Sequence, residues 1–181
     1  MRWRQSVGHP PAAAEIGKRV GYANTNLAFT AGLLHGVGEI VISRFVDEHS
    51  SEIIRLVDED ALAFNDAERK VLGMDHTEVG ALAAERWKLP EPIVRCIRYQ
   101  LEPSALDPPD KLVDIVYLAN CTTMLMGVAL GSDGLSYRAD EAVAERNGLS
   151  EPDFEAVGIV MCAELQKLAA LGVESTAVQN A

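Results

Sequence analysis

Hydrophobic positions along this chain recur at steps of three and four. No stretch alternates with period two for long enough to make a strand. The pattern predicts a succession of helices. Residues 12–20 form a short one, entered through Pro10-Pro11, because proline is tolerated in a first turn. Asn24 or Asn26 caps the next helix, which runs through Leu33 to His35. Gly36 and Gly38 then break or bend the chain, and residues 37–46 continue as an apolar helix. Ser50 or Ser51 opens a helix towards Asp60. Residues 66–72, acidic first and basic last, form another with Gly73 as its C-terminal cap. Asp75 or Thr77 opens a helix to Trp87, which anchors it in the core. Lys88-Leu89-Pro90-Glu91-Pro92 is a turn into a helix ending at Tyr99, and residues 103–109 are a loop.

Residues 111–128 are expected to be the longest helix, with Val113, Val116, Asn120 and Met124 on one stripe. No charge falls between residues 115 and 131. A membrane-spanning helix needs about 20 mostly apolar residues. This run is shorter and is interrupted by Asn120, Thr122 and Thr123, so a buried bundle helix is the expectation. A turn at 131–134 follows. A last helix over 151–171 is capped by Ser150 and turns Phe154, Val157, Met161, Leu165 and Leu168 inward. The tail from Glu174 frays. The expected architecture is all-α, one multi-helix bundle over residues 1–173 with a tail at 174–181.

Composition mainly excludes. The chain has 181 residues, enough for one real core. A net charge of -11 argues against a nucleic-acid partner, which calls for a basic face. Cys96, Cys121 and Cys162 are scattered and odd in number, which reads as thiols of a reducing, cytoplasmic compartment. The first residues lack the apolar core of a signal peptide. No Gly-rich phosphate loop, Ser-His-Asp set or Cys-His pairing is present.

The candidate chemistry is polar residues set in apolar helices. His35 sits among small apolar residues; taken alone, it reads as a buried, hydrogen-bonded histidine. His76 follows Asp75 and is either a first-turn residue or part of a pocket. Asn120 lies on an apolar stripe, where an unpaired amide costs about 1–3 kcal/mol. It is either satisfied by a neighbouring helix or lines a small polar cavity. His9 lies one turn beyond Gln5, in a stretch that Pro10-Pro11 disturb.

In order along the chain, these residues resemble a known family. Trp3-Arg4-Gln5-Ser6 is similar to the Trp-x-His-Ser opening of HDOD domains, relatives of the HD and HD-GYP phosphohydrolases. Ala28-Phe29-Thr30-Ala31-Gly32-Leu33-Leu34-His35 resembles their central Ala-Gly-Leu-Leu-His helix. Glu68 followed by Asp75-His76-Thr77-Glu78-Val79-Gly80 resembles their Glu and His-x-x-x-Gly element. Trp87-Lys88-Leu89-Pro90 with Ile97-Arg98-Tyr99-Gln100 resembles a Trp-x-Leu-Pro helix ending in a His-His pair. The likeness covers about residues 3–130 and, more loosely, the last helix. It implies an HD-type bundle.

The departures from that pattern matter as much. The family's metal positions fall on Gln5, His35, Gly36, His76, Tyr99, Gln100 and Asn120, and only the two histidines survive as ligands. A hard divalent ion needs carboxylate beside imidazole. The resemblance therefore implies a vestigial pocket at those seven positions, with no metal, no cofactor and no catalytic residue. It implies a non-catalytic bacterial signalling module acting by protein contact. A residual metal-dependent phosphohydrolase and a small-ligand sensor built on the vestigial pocket are the alternatives. Family members also carry an N-terminal helical lobe ahead of the Trp-x-His-Ser helix. Its absence here leads us to expect an open apolar patch, mainly from the first helix around residues 3–20 and from the helices beside it, covered by that lobe, by a protein partner or by a second copy in a homodimer. No membrane partner is expected.

Overall fold

The computed structural model describes the backbone of residues 2–126 and 140–170, and side chains from residue 7 onward within those ranges. Helices are the only regular structure among the described residues. In order they are α1 (Arg2–Arg19), α2 (Thr25–Leu34), α3 (Val37–Glu48), α4 (Ser50–Asp58), α5 (Phe64–Leu72), α6 (His76–Arg86), α7 (Glu91–Tyr99), a 3-10 turn (Pro103–Ala105), α8 (Lys111–Leu125), α9 (Glu141–Arg146) and α10 (Glu151–Ala170).

The all-α expectation holds, with local corrections. α1 is one helix of 18 residues with Pro10 and Pro11 inside it, not a short helix entered through them. An interior proline removes a main-chain hydrogen bond and costs about 3 kcal/mol or more. Here α1 is wedged among α2, α8 and α10, with Ala12, Ala13 and Ile16 fully buried, so packing outweighs the local preference. α4 is capped by the backbone of His49, and Ser50 is its first residue rather than its cap. α5 starts at Phe64, two residues before the expected Asp66. The longest described helix is α10, with 20 residues, ahead of α8 with 15. α9 is absent from the sequence expectation; it is only six residues long, too short to show a period.

The caps follow from the sequence. Asn24 accepts from the Leu27 N–H at the start of α2. Asp75 opens α6 with a full capping box, its carboxylate accepting from Thr77 and Glu78 while Glu78 accepts from the Asp75 N–H. Gly73 closes α5 at φ 82°, the left-handed region where a side chain would be strained. At α10, the N–H and hydroxyl of Ser150 donate to Asp153, at 3.0 and 2.7 Å.

α8 is the axis of the molecule. Every residue from Leu112 to Thr123 is buried, so the expected stripe is one side of a helix covered all round. Around it, α1, α2 and α7 complete the main core with Ile16, Ala28, Ile93 and Ile97. A smaller core joins α3, α4 and α5 through Ile42, Val46, Ile53 and Leu56. Burying each such side chain contributes about 1.5–3 kcal/mol. Short α9 buries Val143 in the main core and is tied to α8 by polar contacts as well: buried Asp114 accepts from the Arg146 guanidinium and from the Asn147 amide, the latter at 2.8 Å.

Trp87 does not anchor the core. It is 55% exposed at the end of α6, while Leu89 turns inward and donates its N–H to Ala84. Nor do the described side chains of α1 form an open apolar patch. The stretch 131–134 and the tail 174–181 lie outside the described residues.

Candidate functional site

α3 and α6 cross closely enough to bring their first turns together. Gly38 and Gly80 meet there: a Cβ on Gly38 would fall 1.8 Å from the His76 carbonyl oxygen, and one on Gly80 would fall 2.8 Å from the Gly38 Cα. Only glycine at both positions permits the approach. It carries His35, at the end of α2, towards His76, at the start of α6.

His35 is buried, and its Nδ1 lies 2.6 Å from the Gly32 carbonyl. A carbonyl only accepts, so Nδ1 carries the proton and Nε2 of the neutral ring is left as an acceptor. Burial pushes the His35 pKa down to about 4; the Gly32 hydrogen bond opposes this and nearby His76 adds to it. Gln100 is also buried, and its amide donates to the main-chain carbonyls of His35 at 2.8 Å and Ile97 at 3.1 Å. It fastens α7 to the end of α2.

His76 is held differently. Buried Glu68 of α5 accepts from the His76 main-chain N–H at 3.0 Å and from its Nδ1 at 2.5 Å. Burial disfavours the charged ring. The hydrogen bond and charge of Glu68, with Glu39 and Asp75, outweigh it and raise the His76 pKa. Asp75 is buried too, bound to the Thr77 hydroxyl at 2.7 Å and paired with Arg69 of α5. The α5–α6 joint is thus a polar lock built on Glu68 and Asp75.

α1 contributes a residue that the sequence undervalues. His9 is fully buried, and its ring stacks on His35 with centroids 3.7 Å apart and planes 15° from parallel. Among the described residues, neither of its ring nitrogens reaches a partner in full hydrogen-bond geometry. Burial drives its pKa well below the ordinary imidazole value and His35 adds to this, while the Val116 and Gly32 carbonyls pull the other way. The continuity of α1 through Pro10-Pro11 is what delivers His9 here.

Of the sequence candidates, His35, His76 and Gln100 meet in this interior. Asn120 is buried on α8, one turn from Val116, whose carbonyl faces His9. Gly36 occupies the turn after His35 and starts α3. Tyr99 lines an outer cleft of about 210 Å³ together with Arg69, Asp75, Thr77 and Arg98. The side chain of Gln5 lies outside the described residues. Among the described residues, no three His, Cys, Asp or Glu side chains are placed to hold one metal ion. Cys96, Cys121 and Cys162 are free thiols, the first two buried.

Comparison with known proteins fits this geometry. The model of the HDOD domain family matches residues 1–103. An uncharacterized protein of Treponema pallidum (strain Nichols) is 30% identical over 96 residues, 52% of this chain and 19% of that protein. A crystal structure of an HDOD domain protein of unknown function from Geobacter sulfurreducens aligns with a TM-score of 0.66 at 29% identity, covering 95% of this chain and 59% of that one. A protein from Marinobacter aquaeolei VT8, provisionally described as a signal transduction protein, shares the fold with a TM-score of 0.77 at 24% identity, covering 97% of this chain and 39% of that one. A third structure, provisionally described as a phosphohydrolase, comes from Shewanella amazonensis SB2B; its TM-score is 0.59 at 25% identity, covering 88% of this chain and 62% of that one. This chain therefore spans about a fifth to three fifths of the length of these relatives.

Proposed function

The chain belongs to the HDOD domain family, and we propose that it is a non-catalytic bacterial signal-transduction module that acts by protein contact. The observation that carries this reading is the His35–Gly36 turn. Where the family resemblance expects an acid beside the histidine, Gly36 has no side chain. His35 itself commits Nδ1 to Gly32 and stacks its face on His9. The nearby acids are already committed: Glu68 binds His76, Asp75 binds Thr77 and Arg69, and Glu39 acts on His76. Two imidazoles without a free carboxylate do not make a site for a hard divalent cation. The residues present therefore do not fit the metal that the family would hold. The provisional signal-transduction description of the Marinobacter relative supports the same reading. The free, mostly buried thiols fit a cytoplasmic setting.

A second reading, a residual metal-dependent phosphohydrolase, draws on the Shewanella relative's description and on the retained pair His35 and His76. One experiment separates the two. The chain is purified without chelator, its metal content is measured by plasma mass spectrometry, and hydrolysis of bis-p-nitrophenyl phosphate and of a cyclic dinucleotide is assayed with added manganese. The contact-module reading expects substoichiometric metal and no turnover. One or more ions per chain, lost on His35→Ala together with hydrolysis, would establish the phosphohydrolase instead. The small-ligand alternative moves to the outer cleft at Tyr99, and a thermal-shift screen with nucleotides addresses it.

A further inference from the structure

α2 and α3 leave an apolar stripe in the open. Phe29, Leu33 and Ile40 are 43%, 53% and 76% exposed. On a continuous helix they would lie, with Gly36 among them, within an arc of about 60° over a length of about 16 Å. The turn between the helices is mild: His35 has φ -54° and ψ -41°, and Gly36 has φ -83° and ψ 8°. Gly36 is a dent in the stripe, since a Cβ added there meets no atom within 4 Å. A short ridge with a hole at its middle is the shape that receives one helix, a partner side chain filling the hole.

We propose that this stripe docks an amphipathic helix of another protein, apolar on one face and rimmed with lysine or arginine. The proposal deepens the contact-module reading and rests on it. Charge selects the occupant. No charged residue lies between Arg19 and Glu39, so the α2 half of the stripe is neutral. α3 exposes Asp47 and Glu48 against the single base Arg44, while half-buried Glu39 acts on His76. The whole chain has a net charge of -11, so a second copy is repelled at long range and a basic rim is attracted. A lipid surface is the other apolar candidate, since Thr25–Glu48 has the length and apolarity of a membrane span. But Ala28, Ala31, Ile42 and Val46 face the protein core, which rules out a span. Peripheral binding to anionic lipid needs basic residues that α3 lacks.

The test uses the full chain and two fluorescein-labelled 18-residue peptides. Both place leucine at i, i+3, i+4 and i+7; one fills the remaining positions with lysine, the other with glutamate. Fluorescence anisotropy is expected to give saturable one-to-one binding of the lysine peptide only. Leu33→Glu should weaken it at least tenfold, as should Gly36→Leu, which fills the dent. Leu33→Glu makes the chain more negative, so loss of binding cannot come from weaker general attraction. If Leu33→Glu does not keep the parent's circular dichroism and melting profile, Ile40→Ser at the most exposed position carries the same test. Unchanged binding by the variants overturns the proposal, as does equal binding of the glutamate peptide. So do a sedimenting dimer that Leu33→Glu makes monomeric, or stripe-dependent pelleting with phosphatidylcholine vesicles. Phosphodiester hydrolysis by the chain would sink the contact-module reading separately, whatever the peptides do.

Discussion

The imidazole of His9 lies stacked on that of His35, centroid to centroid at 3.7 Å, in an interior where both residues are buried. Both rings are held neutral by burial, and the sign of the resulting pH dependence is fixed. Their folded pKa values lie below the unfolded value near 6.5, so the unfolded chain binds more protons in between. Their stabilising contribution is complete above pH 6.5 and is lost as pH falls through the folded values, about 4 for His35. For His35 alone the shift corresponds to about 3 kcal/mol. Urea unfolding followed between pH 7 and pH 4 should show this acid branch. His9→Phe preserves a stacked ring and removes one titrating group, so it should flatten the branch. An unchanged slope would mean that other groups set the acid sensitivity.

His76 should behave in the opposite sense. Its pKa is raised in the folded chain, so its contribution is present below pH 6.5 and is lost as pH rises through the folded value. Glu68→Gln removes the hydrogen-bonding carboxylate while keeping the shape. We expect the His76 ring to titrate at lower pH, read by NMR of its Cε1–H. A stability loss of about 1–3 kcal/mol at pH 6 should accompany it, as for a broken charged hydrogen bond in the interior. A His76 titration that does not move would show that Glu39 and Asp75, not Glu68, set its charge.

How far these features could be read from sequence depends on the range of the forces involved. The caps at Asn24, Asp75 and Gly73 are local and were readable, and so was the break at His35–Gly36. Burial of Asn120, and of Val157 and Met161 on α10, followed from period alone, while Phe154, Leu165 and Leu168 are only partly covered. His9 was readable only as a discounted substitute for Gln5, because Pro10-Pro11 signal a helix entry and only tertiary packing of α1 carries the helix through them. Trp87 misled for the converse reason: a large aromatic before a Leu-Pro turn suggests an anchor, yet Trp87 stands at the C-cap of α6 with its side chain exposed.

The tie between α8 and α9 gives a prediction confined to the polar contacts. Asp114 is 3% exposed and accepts from Arg146 and Asn147. Asp114→Ala strands a guanidinium that is only partly solvated, so a destabilisation of roughly 2–4 kcal/mol is expected, at the lower end because Arg146 can turn to water. Hydrogen exchange should localise the loss, with the α9 amides losing protection before those of α1. Uniform loss across the chain would show that α9 is integral to the main core.

Two glycines two positions apart should respond oppositely to the same change. At Gly38 an added methyl would fall 1.8 Å from the His76 carbonyl oxygen and 3.0 Å from the Gly80 Cα, both main-chain atoms of a packed helix that cannot rotate aside. Gly38→Ala must push α3 off α6, and with it the His35 and His76 ends of the site. Overpacking of this kind costs about 1–3 kcal/mol or more. At Gly36 the added methyl meets nothing within 4 Å, and φ is -83°, an ordinary value for any residue. Gly36→Ala should therefore leave stability within about 0.5 kcal/mol, or raise it slightly by restricting the unfolded chain. Thermal unfolding of the two variants side by side is the measurement. A large loss at Gly36 would mean that the turn needs glycine's freedom for a reason its backbone angles do not show. A neutral result at Gly38 would mean that α3 and α6 stand further apart in solution, and the approach of His35 to His76 would have to be redrawn.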